Sequence, residues 1–339
     1  MHLSSLRGAI IDKATEILTF SLSISEFKYL HLNDFFNYLE MIDDVFFIVL
    51  ILYPMIGLAQ NFPSIADKSV TIDGINIAYK DEGAGQVILC LHALGHSSKD
   101  FTSLYNLPLE NYRVVALDFP GQGRSSTSPV PASSSFYYTI VNKFIQLLEI
   151  KNIIIIGNSI GGAVAMRIAS SNPNVKLLSL SNPAGLDKRG FIAPLFLNFM
   201  IHFFQRGVKN KTSFQRQFEL YYKKILITDS ALERRNEIVN DAYLLAPLLV
   251  QGWTSFKLKE EDLRPIIKNI SCPVLFTWAM KDKFVQFGRN KKAISEFKRH
   301  TLIKYPIGHT PYLELTERFN NDLISFIENP RVSKMHLPL

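Results

Sequence analysis

Three residues are spaced for acyl-transfer chemistry. Ser159 stands in Gly157-Asn158-Ser159-Ile160-Gly161, directly after four consecutive isoleucines. A Gly-x-Ser-x-Gly run between a strand and a helix is a sharp bend that needs small neighbours and holds the hydroxyl out above the next helix. The free N–H groups and dipole of that helix favour the negative charge formed when a serine attacks a carbonyl. The competing reading is a structural serine in a tight turn. Serine at its free pKa is a weak nucleophile and needs a base. His309, in "YPIGHTPYLEL", follows the last strand-like run and precedes the last helical one. His92 has the only comparable setting, and it precedes Ser159. The imidazole in turn needs a carboxylate to fix its tautomer. Asp282, in "LFTWAMKDKF", sits just past the preceding strand-like run, so the chain order is nucleophile, acid, histidine. Asp187 is the reserve acid, and Asp262 is the weaker alternative inside a helical stretch. For the oxyanion, one donor is the N–H of Ile160. The second comes from the loop "LHALGH" (91–96), with Leu94 preferred and Ala93 as the alternative.

A layered scaffold must hold these groups. "SVTIDGINIAY" reads as two short strands around Asp73-Gly74, a strong hairpin signal. "QVILCLHAL", "YRVVALDF", "NIIIIG", "VKLLSLSN", "CPVLFTWA" and a weaker "HTLIKYP" follow as nearly continuous apolar runs. That is the pattern of strands covered on both faces. Helical spacing lies between them, in "YYTIVNKFIQLLEI", "IGGAVAMRIASS" and "RFNNDLISFIEN". The alternation predicts a parallel sheet flanked by helices. From 187 to 269 no strand-like run occurs. "FIAPLFLNFMIHFF", "FQRQFELYYKKIL" and "AYLLAPLLVQGW" predict a helical insertion rich in aromatics. Its aromatics suit a packed core, and placed over the strand ends they would also roof an apolar pocket.

Composition bounds the function classes. The chain of 339 residues is 47% hydrophobic and 20% charged, which suits a packed core. Net charge is +7, with three Lys/Arg against seven Asp/Glu in residues 1–59 and 34 against 23 in the rest. The excess is scattered in pairs such as Lys223-Lys224, without a dense basic run interleaved with aromatics. No nucleic-acid footprint is therefore expected. The two cysteines, Cys90 and Cys272, lie in apolar runs as core thiols, and no Cys/His cluster has zinc spacing. Residues 45–59, "VFFIVLILYPMIGLA", form an apolar run shorter than the ~20 residues of a spanning helix. Small residues close the run as at a signal-peptidase site, whereas Asp43 and Asp44 precede it where positive charge is usual. Export or membrane anchoring through 45–59 is expected in preference to a cytoplasmic location. Met41 is an alternative start, which would leave residues 1–40 outside the protein.

Residues 69–328 resemble the α/β-hydrolase superfamily, in the group with a helical cap. The resemblance rests on "LHALG", "LDFPGQGRSS", "GNSIGG", "KDKFV" and "GHTPYLELTERFN". It implies an eight-stranded, mostly parallel sheet, a cap inserted after the sixth strand, and a Ser-Asp-His triad working through an acyl-enzyme. It implies no cofactor and no metal, and makes the loop after Asp118 structural. The expected organisation is an extension (1–59), a core (60–186 and 270–330) and a cap (187–269). Ala93 replaces the glycine usual in the oxyanion loop, which would shift that loop slightly. Relatives that cleave carbon–carbon bonds typically carry tryptophans beside the catalytic histidine. Thr310 and Leu313 stand there instead, which counts against that activity. The expected reaction is hydrolysis of a small-molecule carboxylic ester or related acyl compound with an apolar part. Lactonase, aminopeptidase, C–C hydrolase or acyltransferase chemistry is the alternative on the same triad. A non-catalytic ligand-binding protein or a membrane-tethered interaction protein are the rivals from other classes.

Overall fold

The computed structural model of the chain describes residues 68–108, 110–187 and 193–330. The apolar run 45–59 lies outside the described residues. Strands β1 (Lys68–Ile72), β2 (Ile75–Gly83), β3 (Gln86–Leu91), β4 (Tyr112–Leu117), β5 (Ile153–Asn158), β6 (Val175–Ser181), β7 (Val274–Ala279) and β8 (His300–Tyr305) form one sheet. The order is β1-β2-β4-β3-β5-β6-β7-β8. β1 and β2 pair antiparallel, β2 and β4 likewise, and all other neighbours are parallel. Asp73 and Gly74 both take positive φ, 51° and 77°, as the tight β1–β2 hairpin requires.

The apolar runs have a simple cause. Successive strand residues point to opposite faces, and both faces of this sheet are covered. On β5, Ile153 and Ile155 enter the core beneath helices α1 (Ser134–Leu147) and α2 (Ile160–Ser171). Ile154 and Ile156 enter the opposite core, with Phe319, Leu323 and Phe326 of the C-terminal helix. α1 starts where Ser133 Oγ accepts the N–H of Phe136 at 3.0 Å, a standard N-cap. Cys90 and Cys272 are buried free thiols.

Between β6 and β7 the regular elements among the described residues are all helical. They include α3 (Ala193–Val208), α4 (Phe214–Tyr222), α5 (Leu232–Asn240) and α6 (Ala242–Ser255). Phe204, Phe214, Phe218 and Trp253 build a core of their own there. α7 (Phe287–Ser295), the single turn α8 (Pro311–Glu314) and α9 (Thr316–Glu328) complete the chain described. α4 stops at Tyr222, short of the helical stretch expected to 226, and α5 and α7 had no counterpart in the pattern of the sequence.

The topology places the chemistry. β4 and β5 flank β3 on opposite sides, so the chain reverses direction of travel across the sheet at β3. In open parallel sheets, ligands bind outside the strand C-termini at such a reversal. The C-terminal ends of β3, β5 and β6 lie in register here, with Leu91 beside Gly157 and Gly157 beside Leu180.

Candidate active site

Ser159 follows β5 directly and takes φ 54°, ψ −117°, a backbone state that costs roughly 1–3 kcal/mol and must be held by its surroundings. Its N–H donates to Ser181 O at 3.1 Å, and its carbonyl accepts from Ala163 and Ala184 at 3.1 and 2.9 Å. Gly161 is required by close approach, because a Cβ there would lie 2.2 Å from the carbonyl oxygen of Leu91. The Ser159 side chain does not cap α2. It stands half-buried on the wall of a cavity that His309 also lines.

His309 sits in the loop between β8 and α8. Its Nδ1 lies 2.6 Å from Asp282 Oδ2. Both side chains are nearly fully buried. Asp282 follows β7, and its Oδ1 accepts the N–H groups of Phe284 and Val285 at 2.7 and 3.0 Å. A carboxylate can only accept, so His309 Nδ1 carries a proton and Nε2 is left for the cavity side. Burial pulls the imidazolium pKa down, but the charge and hydrogen bond of Asp282, with the charge of Glu314, outweigh it. His309 therefore titrates above the ordinary imidazole value. The other acids are engaged elsewhere. Asp187 pairs with Arg289 at 3.6 Å and Asp262 with Arg264 at 2.6 Å. His92 is also committed, since Nε2 accepts the Phe119 N–H at 3.0 Å and Nδ1 meets Ala93 O at 2.7 Å.

The loop 91–96 ends in a turn closed by His96 N–H to Ala93 O at 3.2 Å. Its positive φ, 80°, falls on Gly95 and not on Ala93. Alanine at position 93 therefore requires no left-handed backbone. Gly95 N–H is tied to Gln122 Oε1 at 2.6 Å, which links this loop to the segment after Asp118. Asp118 itself accepts from Ser98 and Arg124 N–H, at 2.6 and 2.9 Å, as a structural residue does. Ala93 and Leu94 both line the cavity, and Ile160 is the first residue of α2.

Three polar residues that the sequence reading did not single out hold these groups. Asn182, at the end of β6, donates Nδ2 to Asp282 Oδ2 at 2.9 Å while its Oδ1 accepts the Ala279 N–H at 2.7 Å. Asn158 donates Nδ2 to Ser181 O and His309 O, at 2.8 and 3.2 Å. Glu314, 1% exposed, accepts four backbone N–H groups. They are those of Gly308, His309 and Thr310 at 3.3, 3.0 and 3.2 Å, and that of Ile227 in the helical insertion at 2.8 Å. A polar residue closing an apolar strand run (Asn182) and an acid five residues past the histidine (Glu314) were the signals available.

The cavity has a volume of ≈ 170 Å³. Leu94, Phe196, Leu249, Trp253 and Phe284 make its wall chiefly apolar. That volume is close to the ~150 Å³ that holds a benzene ring. Among the described residues, no group of three or more His, Cys, Asp or Glu side chains is placed to hold a metal ion.

The profile of the alpha/beta hydrolase fold family matches residues 86–314. An uncharacterized hydrolase of Bacillus subtilis, YugF, is 24% identical over 74% of this chain and 93% of its own length. A 2-hydroxy-6-oxononadienedioate/2-hydroxy-6-oxononatrienedioate hydrolase of Comamonas testosteroni is 26% identical over 80% of this chain and 96% of its own. Among solved structures, an esterase from Exiguobacterium antarcticum superposes with a TM-score of 0.67 at 21% identity. The match covers 78% of this chain and all of the esterase.

Proposed function

The chain belongs to the alpha/beta hydrolase fold family, and from that premise we propose that it is a serine hydrolase of carboxylic esters or related acyl compounds. The observation that carries the reading is His309, held by Asp282 at 2.6 Å, on the wall of a cavity that Ser159 also lines. Ser159 Oγ attacks the acyl carbonyl as its proton passes to His309 Nε2. Asp282 keeps the proton on Nδ1 and steadies the imidazolium. The N–H groups of Leu94 and Ile160 hold the oxyanion. His309 then protonates the departing alcohol, leaving an acyl-enzyme. Water, activated by the same Nε2, attacks the ester carbon and releases the acid with Ser159 restored. No cofactor enters this cycle. The C–C hydrolase named among the relatives suggests a second reading, against which Thr310 and Leu313 stand beside His309. The run 45–59 is read, on its sequence, as an export or anchoring segment.

A cavity of ≈ 170 Å³ with an apolar wall suits a short acyl group. In a series of p-nitrophenyl esters, turnover is expected to peak at two to about six acyl carbons and to fall beyond. The series is read as kcat/KM against chain length. No turnover of any ester by a protein shown to be folded would contradict the reading.

Glu314→Gln tests how the base is held. A carboxamide keeps one accepting oxygen and turns an N–H₂ group toward backbone donors, so two of the four accepted bonds are lost, at least one of them in the His309 loop. A fall in kcat of about 10-fold is expected, as for a catalytic group displaced by a fraction of an ångström. The pH profile separates this role from simple loss of stability. His309 must be unprotonated to act, so activity disappears as pH falls through its raised pKa. Removing the negative charge of Glu314 lowers that pKa, and the acid limb of kcat/KM moves to lower pH. An unmoved limb in a folded variant would show that Glu314 is only a structural brace.

A further inference from the structure

A second carboxylate–imidazole pair, with its histidine on the wall of the same cavity, has no part in the cycle above. His96 lies two residues beyond Leu94, and its side chain is 2% exposed. Nδ1 stands 2.5 Å from Asp100 Oδ2. The other oxygen of Asp100 accepts Arg234 Nε at 2.6 Å, and Arg234 also donates to Ser97 Oγ and Glu237. Burial pushes the Asp100 carboxyl up, but His96 and Arg234 outweigh it and hold it well below the usual carboxylate range. The ionised carboxylate fixes a proton on His96 Nδ1. Nε2 is then the remaining polar atom of the ring, and among the described residues it has no hydrogen-bond partner. The ring lies 5.9 Å from that of Tyr222. Both residues wall the catalytic cavity, although His96 also borders a neighbouring groove that Tyr222 does not reach.

Asp100 clamps this imidazole in one orientation, and its second nitrogen, which no described residue occupies, is free to meet a ligand in the cavity that His96 lines. We propose that His96 Nε2 binds a hydroxyl group of the substrate, making His96 a specificity-determining residue for hydroxylated acyl groups. The claim rests on the serine hydrolase reading. His96 and Leu94 are two residues apart and wall the same cavity, so one ligand can meet both. Charge decides the ligand class. Arg234 and Lys99 are matched by Asp100 and Glu237, with Lys99 Nζ 3.4 Å from Glu237 Oε2. This cluster has no surplus positive charge to repay burial of a carboxylate, which is costly when unpaired. A hydroxyl is neutral, and it can donate to a bare Nε2 or accept from a protonated one.

The test compares p-nitrophenyl 3-hydroxybutyrate with p-nitrophenyl butyrate on the full chain. The wild-type protein is expected to prefer the hydroxylated ester by about 10-fold in kcat/KM, the worth of one hydrogen bond at a site built for it. Two variants separate substrate binding from the link between Asp100 and Arg234. His96→Asn places its amide nitrogen where Nδ1 was and keeps the bond to Asp100, but has no atom at Nε2. His96→Gln does the reverse. The preference should vanish in His96→Asn and persist in His96→Gln, whatever each does to overall rate. A preference unchanged in His96→Asn, or none in a wild-type protein that turns over both esters, overturns the proposal and leaves the hydrolase reading intact. If neither ester is turned over, the hydrolase reading fails only where the whole ester series above is also inert. Binding of ethyl 3-hydroxybutyrate against ethyl butyrate to the Ser159→Ala protein, by calorimetry, then decides the claim about His96 by the same ratio.

Discussion

Ser159→Ala is expected to lower kcat by about 10⁶-fold on any ester that the wild-type protein turns over, with KM little changed. The size follows from the cooperative nature of the site. Without the hydroxyl, the base has nothing to activate except water, and the acyl-enzyme route closes. What survives is the contribution of the oxyanion donors and of binding, roughly 10³–10⁴ over water. The variant should fold normally. The Ser159 side chain makes no capping bond to α2, and the bonds that hold the strained backbone are main-chain ones, to Ser181, Ala163 and Ala184. Alanine bears the same strain in φ as serine. A kcat lowered by 10-fold or less, with an unchanged melting temperature, would remove Ser159 from the chemistry.

Asp282→Asn should cost about 10⁴-fold in kcat while leaving the site nearly in place. In the wild type, one carboxylate oxygen accepts two backbone N–H groups and the other accepts from both His309 and Asn182. The amide oxygen of asparagine takes the first position, because the Phe284 and Val285 N–H groups demand an acceptor. Its N–H₂ group is then turned toward His309 Nδ1 and Asn182 Nδ2. Facing a donor, the imidazole keeps its lone pair on Nδ1 and its proton on Nε2. In that tautomer it cannot take a proton from Ser159. The acid limb of kcat/KM should also shift downward, since Asp282 is the chief group raising the His309 pKa against the effect of burial. Steady-state kinetics across pH would show both effects. Asp187→Asn makes the control, because that acid faces Arg289, and its activity should stay within a few-fold of wild type.

The parts of the fold that were legible in the sequence are those with a strong apolar period. The isoleucines of β5 read as a strand buried on both faces because each face has its own core. "IGGAVAMRIASS" matched α2 residue for residue, because nine of its twelve residues are buried. α5 and α7 escaped for the converse reason. "LERRNEIVN" buries only Ile238 and Val239, and "FGRNKKAIS" only Asn290, Ala293 and Ile294. Two or three buried positions do not set up a readable period. The members of the candidate site could be named from the sequence because each follows a strand end. The residues that hold them were not, since Asn182, Asn158 and Glu314 act through bonds 23 to 151 residues away in sequence as well as nearby ones. Only the assembled sheet edge brings those partners together. Asp282 could be preferred to Asp187 and Asp262 from its place after a strand, while its 2.6 Å approach to His309 is a distance that only the fold supplies.

The most direct measurement of the central claim is covalent trapping. A fluorophosphonate mimics the tetrahedral state of acyl transfer and bonds only to a serine whose base and oxyanion donors are in working order. Incubated with the full chain and digested for mass spectrometry, it should add one phosphonyl group, on the peptide carrying Ser159. The adduct should be absent from Ser159→Ala and strongly slowed in Asp282→Asn. A folded wild-type protein that takes no label, or takes it equally well in Ser159→Ala, would contradict the assignment of Ser159 as an activated nucleophile.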